Sequence, residues 1–553
     1  MYPEYLQASL KKVAEKRDYN TALQPERMSA EDKKVLLEQF HPDYRKDQFE
    51  ELKVGQNKGE SVNVELAQTL QGHARLSADD VDLEHPDYDT DILIIGGGGA
   101  GCAAAIEADK AGAKVLICTK LRLGDANTMM AEGGIQAATK PGDSPAQHFL
   151  DAYGGGHYAA KKDLLYKLVT EGPEAIQWLN DLGVEFDKDS EGNMVTIHGG
   201  GTSRKRMHAA KDYTGAEIMR TLRDEVECRQ IPVINYNAAL EIIQDEYGRA
   251  AGAVTLNTNT KELKVIRAKA VIIATGGAGR LHYQKFPTSN HYGATADGLV
   301  LAYHCGAKLL YPDTLQYHPT GAAYPAQILG ALVTEKVRGL GAKMVNVEGE
   351  VFVHPLETRD VAAAAVIREC NFNKKGIEIA GGGQGVWLDT PMIEKIHGEG
   401  TIMSKIPGMF RMFDKYGIDM RKEPIIIYPT LHYQNGGIDI DDDCEVIGVP
   451  NLFAAGEVVG GIHGRNRLMG NSLLDVIVFG RDVGIAAAER AKRTATPKNL
   501  NLDHIAAFEK ELEDAGVETT ALAPKLFPNY RQARNYLDTP FTDNSQVSIK
   551  AVK

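Results

Sequence analysis

Three glycines set the first chemical constraint. Gly96, Gly98 and Gly101 follow the apolar run DILII and open an alanine-rich stretch, forming G-x-G-x-x-G. In that pattern the first glycine permits a tight turn and the second lets backbone approach a pyrophosphate. The third lets a helix pack closely on a sheet, with its N-terminus facing the anion. The motif predicts dinucleotide binding. The acidic residue that would take the ribose of NAD at the end of the next strand is missing, because Thr119 and Lys120 stand there. That departure points away from NAD. Charged residues elsewhere are ambiguous one at a time. Glu335 and Arg338 stand at i and i+3, on one face if TEKVRG is helical, but such a pair alone is usually a solvated ion pair. Arg359 beside Asp360 alone reads as a salt bridge. Six cysteines (Cys102, Cys118, Cys228, Cys305, Cys370, Cys444) lie far apart with no C-x-x-C pair. That spacing argues against an iron–sulfur cluster, a structural zinc, a c-type haem or a disulfide framework in this chain.

The glycine turn needs a strand before it and a helix after it. From Thr90, TDILIIGGGGAGCAAAIEADKAGAKVLICTK reads strand, turn, helix, strand, a βαβ unit whose near-continuous apolar strands suit a sheet covered on both faces. KAVIIATGGAG (Lys269–Gly279) and NLFAAGEVVGG (Asn451–Gly461) repeat the strand-plus-glycine pattern, and Pro232–Asn257 reads as antiparallel strands with polar turns. Residues 312–432 separate the two distal strand–glycine segments and read as an inserted domain. Residues 1–87 are highly charged, with Ala30–Gln39 and Lys46–Lys53 read as short surface helices, an arm suited to docking on a partner; Pro86 marks its end. The expected fold class is α/β. The expected division is a 1–87 extension, 88–311 and 433–484 as two parts of one dinucleotide domain, 312–432 as a cap, and 485–553 as a short helical tail.

Composition bounds the partners. The 553 residues carry 62 Lys+Arg against 75 Asp+Glu, a net charge of −13, which makes nucleic acid or an anionic membrane surface a poor main partner. Hydrophobic content of 43% and charged content of 25% are those of a globular protein. No apolar run reaches the ~18–20 residues of a bilayer span. MYPEYLQASLKK is too polar for a secretory signal and contains no twin arginine. The expected location is cytoplasmic, with any membrane attachment made through partner subunits.

KLRLGDANTMMAEGGIQAA, followed in order by ATGGAGR, TADG, HPTG, TEKVRG, ETRD, HYQNGGI, AAGE and HGRNRLMGNSLLD, resembles the succinate dehydrogenase/fumarate reductase flavoprotein family. L-aspartate oxidase belongs to the same superfamily, and the match runs from about Asp89 to Gly484. The resemblance implies a Rossmann-like FAD-binding domain interrupted by an α+β capping domain, with substrate held between them. It implies FAD contacts at Gly96, Gly98, Ala100, Gly101, Thr119, Lys120, Asn127, Thr128, Ala131, Gly133 and Gly134. Further contacts are implied at Ala238, Thr275, Gly276, Asp297, Glu457, Ser472 and Leu473. Glu457 is notable, since a buried acid needs hydrogen-bond partners and ribityl hydroxyls would supply them. Membrane-bound members attach FAD through a histidine where this chain has Asn127. An amide cannot form that bond, so FAD is expected to be non-covalent, with a bias towards reducing a C=C bond.

In the same family, His318, Thr334, His432 and Arg467 match the residues that bind substrate carboxylates, Arg359 matches the proton donor, and Glu335 and Arg338 match the relay that reloads it. The implied reaction moves a hydride from flavin N5 to one carbon of fumarate or a related enoate, and a proton to the other. His198 stands where the family has an aromatic residue before paired glycines, and as a pocket residue it would admit a larger or more anionic substrate. Arg465 replaces a small residue in the HGRNRL motif. Electrons are expected from an iron–sulfur partner subunit. Two rivals stay open: L-aspartate oxidase, and an electron-transfer flavoprotein without substrate turnover.

Overall fold

The computed structural model describes residues 2–379, 383–528 and 530. The N-terminal segment lies against the chain's own body. Helix α1 (Gln7–Ala22) and helix α2 (Ala30–Phe40), the latter capped by Ser29 accepting from the Asp32 N–H, contribute Val13, Leu36, Leu37 and Phe40 to the main core, and Leu6 joins them from just before α1. Tyr2 sets its ring edge-on to Trp387 at 5.2 Å and donates to the Pro424 carbonyl. Read from sequence as surface helices, these elements instead bury a narrow apolar face, because the outer side of a second sheet needs cover. Lys46–Lys53, expected to be helical, forms a single 3-10 turn and then the strand Phe49–Glu51, paired with Ser61–Asn63.

The dinucleotide sheet has seven strands. Strand β1 (Tyr88–Ile95) leads through the glycine turn into helix α3 (Gly99–Lys110) and returns in β2 (Val115–Thr119), parallel to β1. Strand β3 (Val233–Asn235) adds parallel to β2. Strands β4 (Asn237–Gln244), β5 (Ala250–Asn257) and β6 (Leu263–Ile273) form an antiparallel meander, and β6 lies parallel to β1, giving the order β3-β2-β1-β6-β5-β4. Ile92 to Ile95 are all buried, as the apolar run requires. Two glycines close the turn. Gly96 has φ +123°, and a Cβ there would stand 2.2 Å from the Ala274 carbonyl oxygen; a Cβ on Gly101 would stand 2.0 Å from the Gly96 carbonyl oxygen. Helix α4 (Asp297–His304) follows β6.

A five-stranded antiparallel sheet lies between Leu315 and Gln434. Its centre is β7 (Leu315–Ala322), β8 (Gln384–Leu388) and β9 (Ile425–Gln434), in the order β7-β9-β8, with helix α5 (Arg359–Ile367) packed on β7. The chain then returns to the first sheet in β10 (Leu452–Ala454), parallel to β6. Helix α6 (Asn471–Arg493) packs on α3 so closely that a Cβ on Gly484 would meet the Ala104 carbonyl oxygen at 2.3 Å. Helix α7 (Asp503–Asp514) is followed by a stretch described to Pro528; residues 529 and 531–553 of the expected helical tail lie outside the described residues. Among the described residues no helix is long and apolar enough to cross a membrane.

Candidate active site

A long cleft runs from the glycine turn to the edge of the second sheet. Its lining runs from Gly96–Ala100 past Thr119, Lys120 and Glu457 to His432 and Arg467, an extended shape that suits a dinucleotide. Fourteen of the residues named for FAD line it: Gly96, Gly98, Ala100, Thr119, Lys120, Asn127, Thr128, Ala131, Thr275, Gly276, Asp297, Glu457, Ser472 and Leu473. Lys120, where an acid was missing, donates to Thr295 Oγ1 at 2.7 Å and Asp297 Oδ2 at 2.6 Å. Burial lowers its pKa and Asp297 opposes that shift. Asn127 is a junction. Its amide donates to Glu457 Oε2 at 3.0 Å and to Asn290 Oδ1 at 2.8 Å, and it accepts from the His291 N–H at 2.6 Å. Glu457 also accepts from the Gln434 N–H at 3.0 Å, and burial raises its pKa despite these donors.

The second sheet and the HGRNRL segment place buried charges at the end of this cleft. Gln316 on β7 is the hinge of the arrangement. Its Oε1 accepts from Arg359 Nη1 at 2.8 Å and from Arg467 Nη2 at 3.0 Å. Its Nε2 donates to Asn466 Oδ1 at 3.0 Å and the Arg467 carbonyl at 2.7 Å, which fixes the amide with its oxygen towards the arginines. Arg359 Nε lies 3.0 Å from Glu335 Oε2, and Arg338 Nη2 lies 3.2 Å from the same oxygen. Glu335, just before a short helix over Lys336–Gly339, also accepts from the Gly200 N–H at 2.5 Å. Burial alone would raise the Glu335 pKa, but Arg359 and Arg338 hold it below the usual range. His318 and His432 pack edge to face at 5.0 Å, and burial beside the arginines drives both pKa values far down, so both rings are neutral. Thr334 is buried in the same region. Burial and Arg359 lower the pKa of Arg467. Arg467 Nε and His318 Nε2 are buried with no hydrogen-bond partner among the described residues.

His432 and Arg467 also line the cofactor cleft, so the two regions are continuous. Some expected positions fall elsewhere. His198 is exposed and lies outside the cleft lining, so a loop backbone, not an imidazole, meets Glu335. Ala238 points into a separate apolar cluster, while its neighbours Asn237 and Ala239 line the cleft, the alternation of a β-strand. Gly101, Gly133 and Gly134 sit behind the lining; a Cβ on Gly133 would meet Met469 Cε at 2.3 Å. Arg465 pairs with Asp313 and covers the Tyr311 ring, away from the arginine pair. Sequence reasoning missed Gln316, Asn466, His291 and Tyr433. Gln316 stands two residues before His318 on β7, and that proximity was the available signal.

A family model described as FAD binding domain matches residues 91–473. The chain belongs to this FAD-binding family. It is 38% identical over 419 residues to one component of the CoM/CoB fumarate reductase of Methanothermobacter marburgensis, covering 74% of each chain. It is 34% identical to an L-aspartate oxidase of Streptomyces coelicolor, covering 72% of this chain and 69% of that one. A solved structure of a quinol fumarate reductase variant from Escherichia coli superimposes with a TM-score of 0.69 at 33% identity, covering 77% of this chain and 74% of that one. The protein is therefore an FAD-dependent oxidoreductase of the fumarate reductase/succinate dehydrogenase type, acting on CH–CH groups, with the fold of those flavoproteins. The residues present fit FAD. The α3 N-terminus has no side-chain cap at Gly98 and Gly98 to Ala100 line the cleft, with the Gly99 N–H donating to Thr128 Oγ1 at 3.1 Å, and Thr275 Oγ1 is a buried cleft hydroxyl with no partner among the described residues.

Proposed function

We propose that this flavoprotein is the catalytic component of a fumarate reductase-type enzyme that reduces fumarate or a closely related unsaturated diacid. The observation that carries the reading is the convergence of Arg359 and Arg467 on Gln316 Oε1, with Glu335 and Arg338 directly behind Arg359. Bound FAD supplies the hydride for one alkene carbon. Arg467, with Thr334 and the neutral His318 and His432, binds the two carboxylates and holds the alkene still, since misplacement by about 1 Å can cost about 10²-fold in rate. Arg467 Nε and His318 Nε2 are the donors that a carboxylate would satisfy. Arg359 gives its proton to the other alkene carbon. Its charge also stabilises the negative charge that builds beside a carboxylate. Glu335, held ionised by two arginines, passes a proton from Arg338 to Arg359.

Within this reading Asn127 leaves FAD non-covalent, because its amide is engaged with Glu457 and Asn290 and has no nucleophilic nitrogen. We assign the electron supply to an iron–sulfur partner subunit, which would also hold the enzyme at the inner face of a membrane. The cysteines of this chain are dispersed, and the relative from Wolinella succinogenes is named a flavoprotein subunit of an 8-methylmenaquinol:fumarate reductase. Photoreduced protein mixed with fumarate tests the core of the reading: the flavin should reoxidise, and Arg359→Gln should lower that rate by at least about 10³-fold while FAD stays bound. Retained turnover in this variant removes Arg359 as proton donor. Iminoaspartate formed from L-aspartate would instead select the oxidase reading. Flavin that remains with acid-precipitated protein would overturn non-covalent attachment.

A further inference from the structure

We propose that Tyr433, tethered by Asp475 and His463, is a positioning residue that clamps the Arg467 guanidinium by its face and leaves its N–H edge for a substrate carboxylate. The proposal rests on the dicarboxylate reading of the pocket and adds a group to it. Arg467 Cζ lies 4.3 Å from the centroid of the Tyr433 ring. The Tyr433 hydroxyl donates to Asp475 Oδ2 at 3.1 Å, and His463 Nε2 lies 3.1 Å from the same oxygen. The His463 and Tyr433 rings meet edge to face, with centroids 5.6 Å apart. All four side chains are buried.

Asp475 calls for an explanation. It is fully buried on α6, it does not line the cleft, and its Oδ1 has no hydrogen-bond partner among the described residues. A buried carboxylate is costly unless it is paired or does something for its neighbours. Here its partner is a phenol whose ring face meets a buried cation. Burial, with Asp475 and Glu457 nearby, pushes the phenol pKa well up, so it stays a donor. A phenol that donates to an anion has a more electron-rich ring, and a cation over such a ring in a dry site is held more strongly.

The geometry gives Arg467 two independent constraints. Gln316 Oε1 fixes one edge through Nη2, and the carbonyl of Leu468 lies 3.4 Å from Nη1. Those contacts alone would let the guanidinium plane rock about the shared edge. The Tyr433 ring fixes that plane, so the unpartnered Nε is presented in one direction. Tyr433 is reached from β9, one residue after His432, where a bulge in the pairing with β7 lets both side chains line the cleft.

The test is a double-variant cycle read by ligand affinity. Malonate and succinate are titrated into FAD-loaded protein and followed by the flavin absorbance change, and fumarate reduction by photoreduced protein gives kcat and KM separately. Tyr433→Leu should weaken malonate binding about tenfold and raise KM by a similar factor, with a smaller change in kcat. Tyr433→Phe, which keeps the ring but loses the tether, and Asp475→Asn, which lies outside the cleft, should each weaken binding about threefold. In an Arg467→Gln background, Tyr433→Leu should add little further loss, because no cation is left for the ring face. Full additivity in that background, or unchanged malonate affinity in all three single variants, overturns the clamp. If Tyr433→Leu does not retain FAD, Tyr433→Phe and Asp475→Asn decide. Wild-type protein that binds malonate and succinate while the variants match it sinks the clamp alone. Wild-type protein that binds neither, and is not reoxidised by fumarate, sinks the dicarboxylate reading and the clamp with it.

Discussion

The two ends of the long cleft are built by different means. At the cofactor end, backbone does most of the shaping: Gly96 and Gly101 leave no room for a side chain beside the neighbouring carbonyl oxygens, and the glycine-rich start of α3 lines the opening. At the substrate end, side chains hold one another. Arg359, Arg467, Glu335 and Arg338 come from three separate segments and are tied together through Gln316 and one glutamate oxygen. The contrast teaches where each end is fragile. The cofactor end should fail through steric intrusion, and the substrate end through loss of a partner for a buried charge.

The sharpest break of this comparison is Gly101→Val. A Cβ there lies 2.0 Å from the Gly96 carbonyl oxygen, so the turn must open, and purified protein should carry no flavin by its absorbance spectrum. Gln316→Leu should act in the opposite sense. It strips one acceptor from two buried guanidiniums, and at roughly 1.5–3 kcal/mol for each charged hydrogen bond kcat/KM for fumarate should fall about 10²- to 10⁴-fold, with FAD occupancy unchanged. Flavin loss in this variant would show that the two ends are not separable.

Smaller effects probe the supports behind the substrate end. Glu357, two residues before Arg359, is buried and its Oε2 lies 2.9 Å from Lys33 Nζ on α2. Lys33→Met should destabilise the protein by about 1–3 kcal/mol in urea melts. That would tie the N-terminal segment to the pocket by thermodynamics. An unchanged midpoint would mean the contact contributes nothing. His157 Nε2 lies 2.8 Å from Asp360 Oδ2, and this bond raises the histidine pKa. A raised folded pKa stabilises below the ordinary histidine value and the benefit is lost as pH rises through the raised one. Wild-type stability should therefore decline relative to His157→Asn as pH rises above the ordinary histidine value of about 6.5, by under about 1 kcal/mol for so exposed a ring. Asp360 should stay ionised throughout that range: burial would raise its pKa, but His157 holds it at about 2.

Much of this was legible in the residues. The apolar run DILII and the G-x-G-x-x-G spacing state a strand, a turn and a helix because only glycine fits the two close approaches at Gly96 and Gly101. The ordered motifs carried Arg359, Glu335, Arg338, His318, His432 and Arg467, and these side chains do meet. What was not legible has a common form. His198 and Ala238 are named by position in a motif but their side chains lie outside the cleft lining, because a side chain's direction depends on loop path and strand parity, which a motif does not state. The N-terminal helices read as surface elements because their apolar residues are sparse, and what they cover lies more than 300 residues away at Trp387 and Asp389.

By itself, then, the sequence determined the local backbone of the cofactor turn and the inventory of charged groups, since both depend on residue type and short spacing. Only the tertiary structure decided which charges share an oxygen and which cation a tyrosine face covers. Most of those contacts join residues well apart in the chain: 151 positions for Gln316 with Arg467, 34 for Tyr433 with Arg467 and 24 for Glu335 with Arg359. Their strength comes from burial that no single segment can produce.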